Sequence, residues 1–186
     1  MQTGQTMLVI AAFALLSTLT LGINATMVTT ATMGFEMEAS LNALSVAQSM
    51  LDEILMKDFD EKTTNNHRVF TYDGMTDVSL LGPDAGESIT GVDSSRTGDF
   101  QSRSRFDDAD DYNGYVRMAW DSRLGWFTVR DSVVYVNELN PNIVSSTRTW
   151  EKRITVQVTN FSMPKDLNGN VIPYSLQDLT IYRKYY

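Results

Sequence analysis

Residues 5–60 read QTMLVIAAFALLSTLTLGINATMVTTATMGFEMEASLNALSVAQSMLDEILMKDFD, without a proline, without a charge before Glu36 and without a basic residue before Lys57. From Glu36 onward Met37, Leu41, Leu44, Leu51 and Leu55 recur at helical spacings, Phe59 extends the stripe, and Val46, Met50 and Ile54 widen it. Glu36, Asn42, Gln48, Asp52, Glu53 and Lys57 take the other positions. This is the pattern of a helix with one face on a core. Upstream only Gly34 interrupts, at a modest cost in helix propensity. The spacing predicts one helix from near Gln5 to near Asp60, about 80 Å long. A chain of 186 residues cannot bury such a helix in one domain. The first, apolar half should project.

A projecting apolar helix needs lipid or other helices around it. Thr6–Val28 is long enough to span a bilayer, for which about 20 residues suffice. Its later part, GINATMVTTATMG (residues 22–34), is rich in Gly, Ala, Thr and Asn. Small and hydroxyl side chains let helix backbones approach and bond to one another. A helix of this kind would wait in a membrane and later pack against copies of itself. The plainer alternative is a single-pass anchor.

After residue 60 the texture changes, which divides the chain into a helix (1–60) and a β-rich head (61–186). HRVFTYDG (67–74) reads as a strand closed by Asp73-Gly74. Residues 75–105 form a long surface excursion with one short strand. Three strands should follow in residues 115–120, 126–139 and 150–161. In the last of these Trp150, Ile154, Val156 and Val158 share a face, and Arg153, Thr155, Gln157 and Thr159 share the other. Asn168-Gly169 marks a turn before a final strand containing Leu179 and Ile181. Successive strands joined by turns predict an antiparallel sheet packed on the Leu41–Phe59 stripe, an α+β fold.

The N-terminal string Gly4-Gln5-Thr6-Met7-Leu8-Val9-Ile10, followed by a long helix and a β-rich end, resembles type IV pilins and pseudopilins. That resemblance implies a pilin-like fold, leader processing at Gly4 and Gln5 after Met1-Gln2-Thr3, and a precursor held in the inner membrane. It implies handling by pilus assembly machinery and growth of an extracellular homopolymeric filament, a fimbrium of the kind that serves cell adhesion. Met7, Leu8, Ile10, Phe13, Leu16, Leu19 and Ile23 would then pack the filament core. The family has Glu where this chain has Val9, so register would come from apolar packing. Pilin helices often loosen in mid-helix. With Gly22, Asn24 and the β-branched residues around them, this predicts a break within residues 22–30.

Composition narrows the other function classes. A net charge of −8 excludes a nucleic-acid or anionic-lipid partner, which would need clustered Lys and Arg. There is no Cys, and His67 is the single His, so thiolate metal sites and His-based triads are excluded. The densest chemistry-bearing stretch is FDDADDYNGY (106–115). Asp107, Asp108, Asp110, Asp111 and Asn113 offer hard oxygen ligands, for which Ca2+ would be the cofactor. The spacing does not match an EF-hand, because Ala109 falls on its first ligand position. The alternative is an acidic turn, solvated or paired with Arg103, Arg105 or Arg117. No nucleophile or second catalytic group accompanies these carboxylates, so no enzyme activity is expected. Tyr182, Arg183, Lys184, Tyr185 and Tyr186 would end the chain as an aromatic patch or finish the last strand. A filament subunit is the first reading. A minor pseudopilin of a secretion or DNA-uptake machine and an anchored Ca2+-dependent binding domain are the alternatives.

Overall fold

The computed structural model describes residues 2–183. Helix α1 runs Gln2–Leu55. The chain separates into two units, Met1–Glu38 and Ala39–Tyr186. In the first, α1 is one helix whose large apolar side chains are all exposed. It is helical through residues 22–30, so the expected break is absent. The threonines of this stretch stay compatible with the helix because their hydroxyls bond back one turn. Thr26 Oγ1 donates to the Gly22 carbonyl at 2.9 Å and Thr29 Oγ1 to Ala25 at 2.9 Å. Such back-bonding satisfies the hydroxyl without opening the backbone ladder.

The second unit is an α+β layer structure. The Ala39–Leu55 part of α1 shares one core cluster with a six-stranded sheet. The strands are β1 (Asp93–Ser95), β2 (Val116–Asp121), β3 (Gly125–Asn137), β4 (Asn140–Val144), β5 (Glu151–Thr159) and β6 (Tyr174–Ile181). Their order is β1-β2-β3-β5-β6, with β4 paired to the end of β3. The sheet is mixed. All pairs are antiparallel except β1 with β2, which is parallel. The expected all-antiparallel sheet is corrected at this edge, where a three-residue strand returns from the excursion and joins alongside β2. The clear alternation of β5 is present, with Ile154, Val156 and Val158 fully buried.

Two further expectations change. Residues 67–70 are not a strand; Tyr72–Gly74 is a 3-10 turn, and the Val69 amide is satisfied by the Tyr182 hydroxyl at 2.9 Å rather than by a ladder. The helix also stops at Leu55, short of Asp60. Asp58 forms a parallel bridge with Asp108, its carbonyl accepting from the Ala109 amide at 2.8 Å, and the chain turns into the core there.

The face that α1 buries overlaps the predicted stripe only in part. Met50, Leu51 and Ile54 lie on the core as expected, and Ala39, Ala43 and Ala47 join them at 0% exposure. Leu41 remains 62% exposed, and Met37, Leu44 and Leu55 are also on the surface.

Candidate functional site

The residues expected to pack a filament core are brought together on α1 only as neighbours along one helix. Met7, Leu8, Ile10, Phe13, Leu16, Leu19 and Ile23 are all exposed, Phe13 at 66% and Leu16 at 58%. Hydroxyls among them are satisfied within the helix, as Ser17 Oγ is by the Phe13 carbonyl at 2.8 Å and Thr20 Oγ1 by that of Leu16 at 2.8 Å. The surface is therefore both apolar and free of hydroxyl demands. Gly4 and Gln5 are helical. Met1 of the expected leader, and Lys184, Tyr185 and Tyr186 of the terminal patch, lie outside the described residues. Tyr182 stacks on Trp150 at 5.6 Å and meets Phe59.

In the second unit the exposed side of α1 lines an open groove. Leu41, Leu44 and Met56 contribute apolar walls, with Gln48, Asp52 and Arg103 among the polar ones.

The acidic loop brings Asp107, Asp108 and Asp111 into two carboxylate groups that share Asp107. Asp107 is exposed, whereas Asp108, Asp110 and Asp111 are buried. Asp107 meets Glu61 and Asp108 in one carboxylate group, and Glu87 and Asp111 in another. Asp111 Oδ2 accepts the backbone amides of Asp107 (3.1 Å) and Asp108 (3.3 Å), while Asp108 Oδ1 accepts that of Asp111 (3.1 Å). Asn113 is a brace: its amide donates to the Leu81 carbonyl at 3.1 Å and its oxygen accepts from the Val133 amide at 3.2 Å. The arginines expected to neutralise the loop act elsewhere. Arg103 and Arg117 bind Glu53, and Arg105 donates to the Ser88 carbonyl.

The cation that does reach the loop is Lys152, 0% exposed on the core face of β5. Its Nζ lies 2.8 Å from Asp110 Oδ1, 2.9 Å from Asp60 Oδ2 and 2.8 Å from the Phe59 carbonyl. The Phe59 and Tyr135 rings flank it at 4.5 and 5.0 Å. Asp60 also accepts from the Lys62 amide and from both the amide and hydroxyl of Thr76, and the Tyr135 hydroxyl lies 2.9 Å from its Oδ2. Burial opposes charge on Asp60, but Lys152 and these donors outweigh it and hold the carboxyl below its ordinary range. Asp110 is raised instead, because burial outweighs Lys152 there. Asp108 is pushed up to about 9, by burial first and then by the charges of Asp110 and Asp111. Burial raises Asp111 to about 7.

A second buried cluster lies between α1 and the sheet. Glu53 accepts from Arg117 at 2.8 Å, Arg103 at 3.1 Å, Ser102 at 2.9 Å and Tyr112 at 3.1 Å. Burial raises the Glu53 carboxyl, but Arg117 and the hydrogen bonds lower it overall. Asp131 is different. It sits on the core face of β3, 5% exposed, and neither carboxylate oxygen has a hydrogen-bond partner among the described residues. Burial holds it well above the carboxylate range, against the pull of Arg117. An unpaired buried polar group costs about 1–3 kcal/mol. Asp131→Val, in phase with Val129 and Val133, is therefore expected to raise stability by about 1–3 kcal/mol in urea unfolding.

These shifts give a stability profile. Asp108, Asp111 and Asp131 retain protons in the folded state above the pH at which the unfolded chain releases them. The folded state binds more protons, so their contribution falls as pH rises. For Asp111 the loss runs from the model-peptide value of 3.8 to about 7, and for Asp108 from 3.8 to about 9. Glu53 and Asp60 act oppositely, contributing above their unfolded pKa and losing it as pH drops through their lowered folded values. Tm of the detergent-solubilised chain is expected to peak in mildly acidic buffer and decline toward pH 9, as followed by near-UV circular dichroism.

No family model matches the chain, and neither a curated protein nor a solved structure matches it.

Lys152 was legible as an anomaly, since it falls in phase with Trp150 and Ile154 on the apolar face of β5. Arg117 and Asp131 are similar. Their partners Glu53, Asp60 and Asp110 are distant in sequence, and no local signal pairs them.

Proposed function

We propose that the chain is a pilin-like structural subunit that polymerises through α1 into an extracellular filament, from a precursor inserted in a membrane and delivered to pilus assembly machinery. The carrying observation is that apolar side chains are exposed along α1 in both units, from Met7 to Leu55. Over its first part α1 is apolar and long enough to cross a bilayer, with a mean hydropathy of 2.2 in its most apolar window. Lipid would satisfy that part alone. It would not suit Leu41, Leu44 and Met56, which lie beside Asp52, Glu53 and Lys57 in one groove. A protein neighbour suits both, and copies of the same helix supply one. The role is non-catalytic. A single-pass anchor for the head, as in a minor pseudopilin, is the second reading, favoured by the bilayer-spanning length of α1.

The lack of cysteine makes the test direct. Pairs of Cys substitutions scanned over Phe13, Leu16, Leu19 and Ile23 should give disulfide-linked dimers and higher oligomers on oxidation of assembled material. Absence of intersubunit links at every pair would exclude helix-to-helix packing.

A further inference from the structure

We propose that Lys152 and Asp110 condense to an intramolecular isopeptide bond, Lys152 Nζ to Asp110 Cγ, with Asp60 taking a proton from the amine and Asp108 supporting the carboxyl. The inference does not depend on the filament reading. It rests on a side-chain constellation within the second unit.

The first observation is contact. Lys152 Nζ lies 2.8 Å from Asp110 Oδ1. The contact holds the amine beside the carboxyl it would attack, and well-oriented intramolecular groups reach effective concentrations of about 10^5–10^8 M. The second is dryness. Lys152 and Asp60 are 0% exposed, Asp108 1% and Asp110 2%. Condensation releases water and hydrolysis consumes it, so a site that excludes solvent favours the amide. The Phe59 and Tyr135 rings close one side of the amine.

The third observation is the excess of carboxyls. Two of them, Asp60 and Asp110, contact the one amine, and Asp108, two residues from Asp110 and 1% exposed, adds a third that interacts with Asp110. Two carboxyl groups joined in this way require a proton between them. Asp60 is anchored in its charged form by the Lys62 amide and by Thr76, with its Oδ2 2.9 Å from the amine. It is placed as the base. Asp110 accepts from Lys152 and is otherwise held by Asp108, which makes it the acyl partner.

The step balances. Asp60 takes one proton from the ammonium, and Asp108 gives its proton to the Asp110 carboxylate. The Nζ lone pair attacks Cγ and forms the C–N bond. The C–O bond then breaks, and the oxygen leaves as water with a second proton from nitrogen. The third stays as the amide N–H. The proton on Asp60 returns to Asp108. In sum, one ammonium and one carboxylate become one amide and one water, and no oxidant or activating group is consumed. The product replaces a buried ion pair with a neutral amide, which removes a desolvation cost. It would also tie the Phe106–Tyr115 loop covalently to β5.

Mass spectrometry of the full chain under denaturing conditions tests this. The wild type should weigh less than its sequence by one water, about 18 Da, with tandem spectra joining the Lys152 and Asp110 peptides. Lys152→Arg keeps the charge, cannot condense, and should show its full sequence mass. Asp110→Asn would close the same bond with loss of ammonia, about 17 Da. A wild-type chain at full sequence mass, with Lys152 open to acylation once denatured, overturns the proposal. So does a mass deficit mapped to Asp60 or to a cyclised Asn168-Gly169.

Discussion

Lys152→Met is expected to destabilise the second unit by about 3–5 kcal/mol, the cost of breaking a buried ion pair from one side. In the uncondensed chain the substitution removes the one cation that, among the described residues, is paired with Asp60 and Asp110, at a position with no solvent access. Asp60 would keep its donors from Thr76 and Lys62 but lose the charge that outweighs its burial. Asp110 would be left with Asp108. For a unit of this size the drop in Tm should be about 10 °C or more. Lys152→Met combined with Asp110→Leu should regain part of the loss, because it removes one uncompensated carboxyl. A change within about 0.5 kcal/mol for the single variant, as at an ordinary surface position, would show that the core does not hold this charge dry.

Phe13→Asp is expected to abolish polymerisation while leaving the head folded. Phe13 is 66% exposed on α1 and lies in the first unit. In a filament the same position would be enclosed by apolar side chains of other copies. An unpartnered carboxylate there would cost several kcal/mol, repeated at every subunit. Phe13→Leu keeps the apolar character and should still assemble. The comparison is read by the amount of sedimentable surface filament from cells making equal amounts of each chain, with circular dichroism of the solubilised variant confirming the head. Filaments of normal yield from Phe13→Asp would remove the packing account.

Some of this was legible before any coordinates. The absence of Pro and of charge in the first residues made one long helix the simple reading, and α1 runs Gln2–Leu55. The face it buries was legible in part. Met50, Leu51 and Ile54 of the expected stripe are inside, but Leu41, Leu44 and Leu55 are exposed and Ala39, Ala43 and Ala47 are buried. Alanine carries little hydrophobic contrast, so a buried alanine row is not marked in a sequence. The β5 alternation was visible, but β1 was not assignable as a parallel edge, since three residues have no period to read and parallel pairing is set by the return path of a long excursion.

The acidic loop illustrates the same limit. Five oxygen-bearing residues within FDDADDYNGY suggested one ligand set or an arginine-paired turn. Folding divides their roles. Asp110 turns to Lys152, Asn113 braces Leu81 and Val133, and Asp107 meets Asp108 beside Glu61 and Asp111 beside Glu87. Glu61 and Glu87 come from segments whose proximity no spacing rule predicts. Conversely, Lys152 on β5 and Asp131 on β3 fall in phase with apolar residues, a signal of buried charge that the sequence reading passed over and that does not name their partners.

Electron microscopy of material sheared from the surface of cells making this chain, with the filaments identified by mass spectrometry, tests the central claim most directly. The account predicts thin helical filaments in which this chain is the principal component. Recovery of the chain only from the membrane fraction, as single subunits and with no filament containing it, would contradict the account.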